Sequence, residues 1–246
     1  MQTRLIKKEV KYHLGRYNQI RGDMQKIRLS EGCPHDCPFC HEPTKEELYF
    51  DELDKIKTNK VIFSDMNFLS KKDEAIEIIE TLGYIKVNNK NVYYEFECGV
   101  DYRFLTQEIA NALFKSRFGN FNKDGVWKRD IKIAWDWHLD QQYKIKDAVD
   151  MLIKAGYKPK EISVFMIVNW IIPLWECDLK LDLLKIWNVI VNDCCYDGGY
   201  KIAIAKDWTE KELKYFRHKC AIHNQAVLFG LYGDLKRALR IKKYKI

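Results

Sequence analysis

Glycine and proline are both scarce, at 12 and 5 in 246 residues. That leaves little material for a flexible linker, and there are no internal repeats or low-complexity stretches. The expected organisation is one domain over 1–246, with a core at about 24–200 and a short basic extension at each end. Long apolar runs are also missing. The longest, over 162–172, is too short and too interrupted to cross a bilayer. The opening "MQTRLIKKEVKYHLGRYNQI" lacks the apolar centre of a signal peptide. These absences argue against a membrane protein, and the expected location is cytoplasmic. In that compartment the eight cysteines are read as thiols or metal ligands rather than disulfides.

The composition that remains, 47% apolar and 31% charged, is enough for a packed core. The formal charge of +7 is unevenly spread. Residues 1–30 hold eight Lys or Arg against two acids, and 231–246 hold six against one. Basic ends of this kind suit phosphate or an acidic partner, and equally suit plain solvated termini.

Short runs rich in Val, Ile, Tyr and Phe predict strands over 26–30, 60–64, 92–98, 131–135, 162–169 and 189–193. Amphipathic stretches fall between them. The first puts Ala75, Ile76, Ile78, Ile79 and Leu82 on one side and stops at Gly83. The second starts from Thr106 as N-cap and buries Ile109, Leu113 and Phe114. The third turns Ile145, Ala148, Val149 and Leu152 inward and ends at Gly156. A shorter helix is expected over 180–187, and a last one from Thr209, followed by Glu210 and Glu212 in a capping-box pattern. Repeated alternation of strand and helix predicts α/β units on a parallel sheet, with the site at the C-terminal ends of the strands.

On that rim, after the first strand, stands "GCPHDCPFC". Cys33, Cys37 and Cys40 are spaced C-x3-C-x2-C. Thiolates at this spacing suit zinc or an iron–sulfur cluster. A structural zinc wants four protein ligands, which would recruit His35 or His41. Three thiolates on a four-iron cluster instead leave one iron open to an exchangeable ligand.

The stretch Cys33-Pro34-His35-Asp36-Cys37-Pro38-Phe39-Cys40, with an aromatic before the last cysteine, resembles the radical SAM (S-adenosylmethionine) superfamily. The resemblance covers about 24–200 and implies a partial (β/α)6 TIM-like barrel. It implies that Cys33, Cys37 and Cys40 hold a 4Fe–4S cluster whose open iron binds SAM. One-electron cleavage of SAM then gives a 5′-deoxyadenosyl radical that abstracts hydrogen from a substrate. A reductant such as flavodoxin or ferredoxin is implied with it. The basic ends tilt the substrate toward nucleic acid or another macromolecule. The length leaves no room for a separate cobalamin-binding domain. The competing reading is a zinc-dependent nucleic-acid-binding module without radical chemistry.

The same resemblance assigns rim residues. Phe39 matches the aromatic near the adenine. "FSDMNFL" resembles the Asp-Asp-Asn-Phe turn of the methylthiotransferase and cobalamin-dependent branches, which makes Asp65 and Asn67 candidates near the SAM amino group. Met66 departs from that pattern. "GVDYRFLT" resembles a stretch of small uncharacterised members, and Arg103 becomes a candidate for the SAM carboxylate. Its structural alternative is an ion pair with Asp101 or Glu97. Asp136, at the end of "IAWD", is a candidate ribose or substrate contact, or a helix cap. Asn169 and Asp193 end later strands in equivalent positions. Cys98, Cys177, Cys194, Cys195 and Cys220 form no compact second motif and are read as buried or free thiols rather than ligands of an auxiliary cluster, a catalytic thiol at Cys194 or Cys195 being the lesser alternative.

Overall fold

The computed structural model describes residues 16–40, 42–196 and 208–232. Seven principal strands run β1 Asn18–Arg21, β2 Met24–Ile27, β3 Lys60–Phe63, β4 Tyr93–Phe96, β5 Ile131–Ala134, β6 Ile162–Val168 and β7 Ile190–Cys195. The helices are α1 Asp73–Tyr84, α2 Gln107–Lys115, α3 Gln142–Ala155, α4 Leu174–Trp187 and α5 Glu210–Leu228.

β2, β3 and β4 pair in parallel, and β1 lies antiparallel outside β2 across a turn at Gly22, whose φ is +61°. β5, β6 and β7 form a second parallel sheet. One parallel bridge joins the two, where the Val100 N–H donates to the Lys132 carbonyl at 2.7 Å. The six parallel strands therefore follow chain order. Among the described residues the outer strands of the two sheets do not pair with each other, so the barrel is not closed.

The open edge of β7 is covered by a helix. His223 of α5 donates from Nε2 to the Val189 carbonyl at 2.7 Å. Asn224 takes the place of a strand neighbour, accepting from the Val191 N–H at 2.9 Å and donating to its carbonyl at 2.7 Å. A side-chain amide thus satisfies backbone groups that would otherwise stand unpaired.

The alternation expected of half-buried strands holds along β5, where Ile131 and Ile133 are fully buried and Lys132 and Ala134 only partly so. Each such aliphatic side chain contributes about 1.5–3 kcal/mol by leaving water. Thr106 caps α2, accepting from the Ile109 N–H, and Thr209 with Glu212 forms the capping box of α5. Gly156 ends α3 at φ +120°.

Several boundaries differ from the sequence expectation. β2 lies at 24–27 rather than 26–30, because its partners on both sides, β1 and β3, fix the earlier register. β4 ends at Phe96, since Gly99 (φ +78°) turns the chain and its N–H returns to the Phe96 carbonyl. β7 continues to Cys195. α1 runs through Gly83 to Tyr84. α4 begins at Leu174, six residues early, because it buries Glu176 and Lys180, which break an amphipathic pattern. Among the described residues no α-helix lies between β2 and β3. The chain there forms the cysteine loop, a small ribbon of Ser30–Glu31 with Glu47–Leu48, and a 3-10 helix at Phe50–Lys55. Among the described residues no helix is long and apolar enough to cross a membrane. Most of both basic ends, 1–15 and 233–246, lies outside the described residues.

Candidate active site

The cysteine loop leaves the C-terminal end of β2 and is fastened at its base. The Cys33 N–H donates to the Pro43 carbonyl at 2.9 Å. Buried Arg28 donates to buried Glu42 and, from Nε, to the Ser30 carbonyl at 2.9 Å. The same Glu42 carboxylate accepts the Gly32 N–H at 2.7 Å. The Glu42 N–H points back into the loop, 3.4 Å from Cys40 Sγ. Inside the loop the Cys40 N–H closes a turn onto the Cys37 carbonyl at 3.0 Å.

The chain that follows β3 braces the loop from the side. Asp65, fully enclosed, accepts from the Leu29 N–H at 3.2 Å, the Ser30 N–H at 2.5 Å and Ser30 Oγ at 2.7 Å. Burial pushes its carboxyl up to about 6, against the pull of those hydrogen bonds and the Arg28 charge. Asp65 was expected near a SAM amino group. Its carboxylate is instead turned onto the backbone that launches the loop. Lys71, also buried, donates to the Gly32 carbonyl at 2.8 Å and pairs with Glu46 at 2.7 Å.

Asn67 sits deeper. Its Nδ2 lies 3.2 Å from Cys33 Sγ and 2.9 Å from Asp101 Oδ2, while its Oδ1 is buried without a partner among the described residues. Asp101 also caps the 3-10 helix Tyr102–Phe104 and clasps Arg103 with two hydrogen bonds of 2.8 Å. Of the two ion pairs weighed for Arg103, the one with Asp101 forms, and Glu97 pairs with Lys26 at 2.6 Å. Arg103 does not continue an extended path, because the chain turns at Gly99. His35 presents Nε2 to Asp101 at 3.4 Å, with its ring against Phe104.

Across the loop lies an aromatic cluster. Phe39 meets Trp170 edge-on at 4.8 Å and lies 5.8 Å from Trp137, and Trp170 reaches Tyr196 at 6.5 Å. Trp170 Nε1 and the Tyr196 hydroxyl are buried and have no hydrogen-bond partner among the described residues. Native interiors rarely leave such groups unpaired.

Asp136 follows β5 at this rim. It has no hydrogen-bond donor among the described residues, and burial pushes its carboxyl up to about 7 although Lys180 and Arg103 pull it down. It caps no helix, since the next one, at Leu139–Gln141, begins from His138. Two charged residues of α4 hold its loop. Glu176 accepts from the Leu139 N–H and faces His138 Nδ1 at 3.0 Å, and Lys180 donates to the Trp137 carbonyl. Because the folded carboxyl titrates above its ordinary value of 3.8, the stability tied to its proton is complete below that value and lost as pH rises toward 7. Asp136→Asn is therefore expected to stabilise the protein by about 2 kcal/mol above neutrality and by less near pH 5. Urea midpoints at the two pH values check this, and an equal gain at both would contradict it.

The other rim candidates have structural partners. Asn169 adopts φ +61° and donates to the Tyr196 carbonyl at 3.0 Å, tying the exits of β6 and β7. Asp193 lies within β7 and pairs with Arg217 of α5 at 2.8 Å. The thiol of Cys98 is pushed up to about 12 by burial and lies 3.2 Å from Met66 Sδ. None of the eight cysteines is in a disulfide; Cys177 and Cys220 are buried, and Cys194 and Cys195 are exposed. Among the described residues no three His, Cys, Asp or Glu side chains gather closely enough to hold one metal ion. His41 lies outside the described residues.

Sequence reading missed Arg28, Glu42, Lys71, Glu176 and Lys180. The available signal was weak. Each is a buried charged residue, and composition and periodicity do not single such residues out.

No family model matches the chain, and neither does any curated protein. Among solved structures it is similar to the radical S-adenosylmethionine methyltransferase TsrM from Kitasatospora setae with cobalamin and a [4Fe-4S] cluster bound, at TM-score 0.53 and 11% identity over 69% of this chain and 36% of that one. It is equally similar to TsrM from the same organism with tryptophan substrate and the SAM analogue aza-SAM bound, at TM-score 0.54 and 12% identity over 70% and 36%. The chain thus matches little more than a third of TsrM's length, and the likeness is one of fold: a mixed α/β architecture with parallel strands, shared with a radical SAM methyltransferase.

Proposed function

We propose that the protein is a radical SAM enzyme, with Cys33, Cys37 and Cys40 as ligands of a 4Fe–4S cluster on a partial (β/α)6 barrel. One observation carries the reading. The three cysteines stand in a braced loop at the C-terminal end of the first parallel strand, and buried polar atoms without a partner among the described residues lie on two side chains that hold the loop, Asn67 Oδ1 and Glu42 Oε2, and on the aromatic cluster that meets Phe39, Trp170 Nε1 and Tyr196 Oη. Three thiols fit a cluster, because each binds a different iron and they need not converge on one point as zinc ligands must.

Once bound, the cluster and SAM supply a 5′-deoxyadenosyl radical able to abstract hydrogen. The chain's own residues bind, orient and shield. Asp65 and the Arg28–Glu42 pair hold the loop, and Asn67 Oδ1 is an acceptor for the SAM ammonium. Arg103 keeps Nη1 for the carboxylate while Asp101 fixes the rest of its guanidinium. Phe39, Trp170 and Tyr196 offer an aromatic wall with two polar atoms to a flat base. Asp136 faces the ribose or the substrate. The basic segments 1–30 and 231–246 support a polyanionic substrate, for which nucleic acid is our choice, and an external one-electron donor of the flavodoxin or ferredoxin kind.

The test is anaerobic reconstitution with iron and sulfide, followed by reduction and addition of SAM. A brown protein with about four irons per chain that releases 5′-deoxyadenosine is expected. Cys37→Ala is expected to lose both the iron and the product. A colourless protein holding one zinc and leaving SAM intact would overturn the proposal in favour of the zinc module. Binding of SAM is also expected to quench fluorescence from Trp170 and Trp137, and Phe39→Ala to weaken that change.

A further inference from the structure

The amide of Asn67 is held in one orientation by its neighbours. Asp101 accepts hydrogen bonds from the Arg103 N–H at 3.0 Å and from its guanidinium at 2.8 Å, so its carboxylate acts only as an acceptor. The Asn67 atom 2.9 Å from Asp101 Oδ2 must then be the NH2 group. A flipped amide would set oxygen against oxygen. That NH2 carries two hydrogens. One goes to Asp101, and the other points at Cys33 Sγ, 3.2 Å away. Asn67 and Cys33 are 7% and 8% exposed, so water does not compete strongly for the contact.

We infer that Asn67 is a positioning residue that donates a hydrogen bond to the Cys33 thiolate and thereby raises the reduction potential of the cluster, with Asp101 fixing the direction of the amide. This rests on the cluster reading proposed above. Hydrogen bonds to ligating sulfur are one of the levers a protein has on cluster potential. Reduction adds an electron from an external donor to the cluster, with no bond formed or broken by Asn67. The added negative charge is shared by the thiolates, so a donor N–H stabilises the reduced form more than the oxidised one. Losing the donor lowers the potential. Asn67 thus has two ends, Nδ2 on Cys33 and Asp101, and a buried Oδ1 with no partner among the described residues.

The experiment is a mediated dithionite titration, followed by EPR, of reconstituted wild type and Asn67→Leu. At the wild-type midpoint, the variant is expected to show an oxidised-to-reduced ratio about tenfold higher, equal to about 59 mV for a one-electron couple. Asp101→Ala, which frees the amide, is expected to move the ratio the same way by a smaller factor. Iron content is expected to be unchanged in both. Equal midpoints at equal iron content would overturn the inference and leave the cluster reading intact. A wild type that takes up no cluster would overturn both. Should neither variant assemble a cluster, the wild type decides alone. With asparagine labelled by nitrogen-15 in the side-chain amide, the reduced cluster is expected to show hyperfine coupling to that nitrogen, and its absence would overturn the inference.

Discussion

Glu42→Leu is expected to destabilise the protein by about 3–5 kcal/mol, the usual cost of breaking a buried ion pair from one side. Arg28 and Glu42 are 4% and 2% exposed, and the carboxylate also accepts the Gly32 N–H at 2.7 Å. Leucine removes the negative charge that faces the guanidinium and leaves the Gly32 N–H without an acceptor in a site that excludes water. Glu42→Gln keeps an acceptor of the same shape and loses only the charge, so about 2 kcal/mol is expected. Asp65, whose carboxyl feels the Arg28 charge, limits the loss in both cases. The pair's own worth is a separate matter. Replacing both partners at once, Arg28→Met with Glu42→Leu, is expected to recover most of the stability, since two apolar side chains escape the desolvation penalty of two ions. Urea unfolding of the wild type, Arg28→Met, Glu42→Leu and the double variant measures the coupling. A double variant as unstable as the sum of the singles would show that the pair acts independently of its partner.

This pair was not legible in the sequence, and the reason is general. Strands and helices announce themselves by period, so the six parallel strands and the caps Thr106 and Thr209 were within reach. The cysteine spacing was equally plain. A charged residue inside the core has no period. Arg28 and Lys180 look like surface residues until tertiary contacts bury them. Glu176 and Lys180 also hid the first half of α4, because they occupy inward positions where an amphipathic helix should show aliphatics.

The rim residues show a second limit. Sequence reading placed Asp65, Asn67, Arg103, Asp136 and Asn169 at strand ends facing the cysteines, and all five lie in the segments that follow parallel strands. What each side chain faces was beyond it. Asp65 and Asn169 are spent on backbone groups, Arg103 on Asp101, and Asn67 is divided between a thiol and a carboxylate. Only Asp136 stands without a hydrogen-bond donor among the described residues. Hydrogen-bond direction depends on where a turn ends to within one residue, and Gly99 decides that here by turning the chain after β4. A carboxylate left unpaired beside an aromatic wall costs stability, and sites kept for ligands commonly carry such costs.

Gly32→Ala is expected to be severely damaging for the addition of a single methyl group. Gly32 has φ +90°, outside the range alanine adopts without strain. A Cβ there would stand 2.2 Å from the Lys45 carbonyl oxygen and 2.7 Å from Glu46 Cα, which are backbone atoms and have no rotamer to change. One strand of the small ribbon would have to move, yet the Cys33 N–H, the Gly32 N–H and the Lys71 ammonium all tie it in place. Strain and displacement together are expected to cost about 3 kcal/mol or more. The effect on the site should exceed the effect on the fold. The cysteine loop hangs from this residue, and the atoms that an added Cβ would meet belong to Lys45 and Glu46. Gly32→Ala is therefore expected to retain a cooperative urea transition at lower midpoint and to lose most of its iron after reconstitution. A variant with wild-type iron and a wild-type midpoint would show that the close approach of Gly32 to Lys45 is not a constraint on the loop. The contrast with Gly22 supplies the control. Gly22 has a similar positive φ, +61°, but nothing lies within 4 Å of the added carbon. Gly22→Ala should cost only the backbone strain, about 1 kcal/mol, and leave the iron untouched.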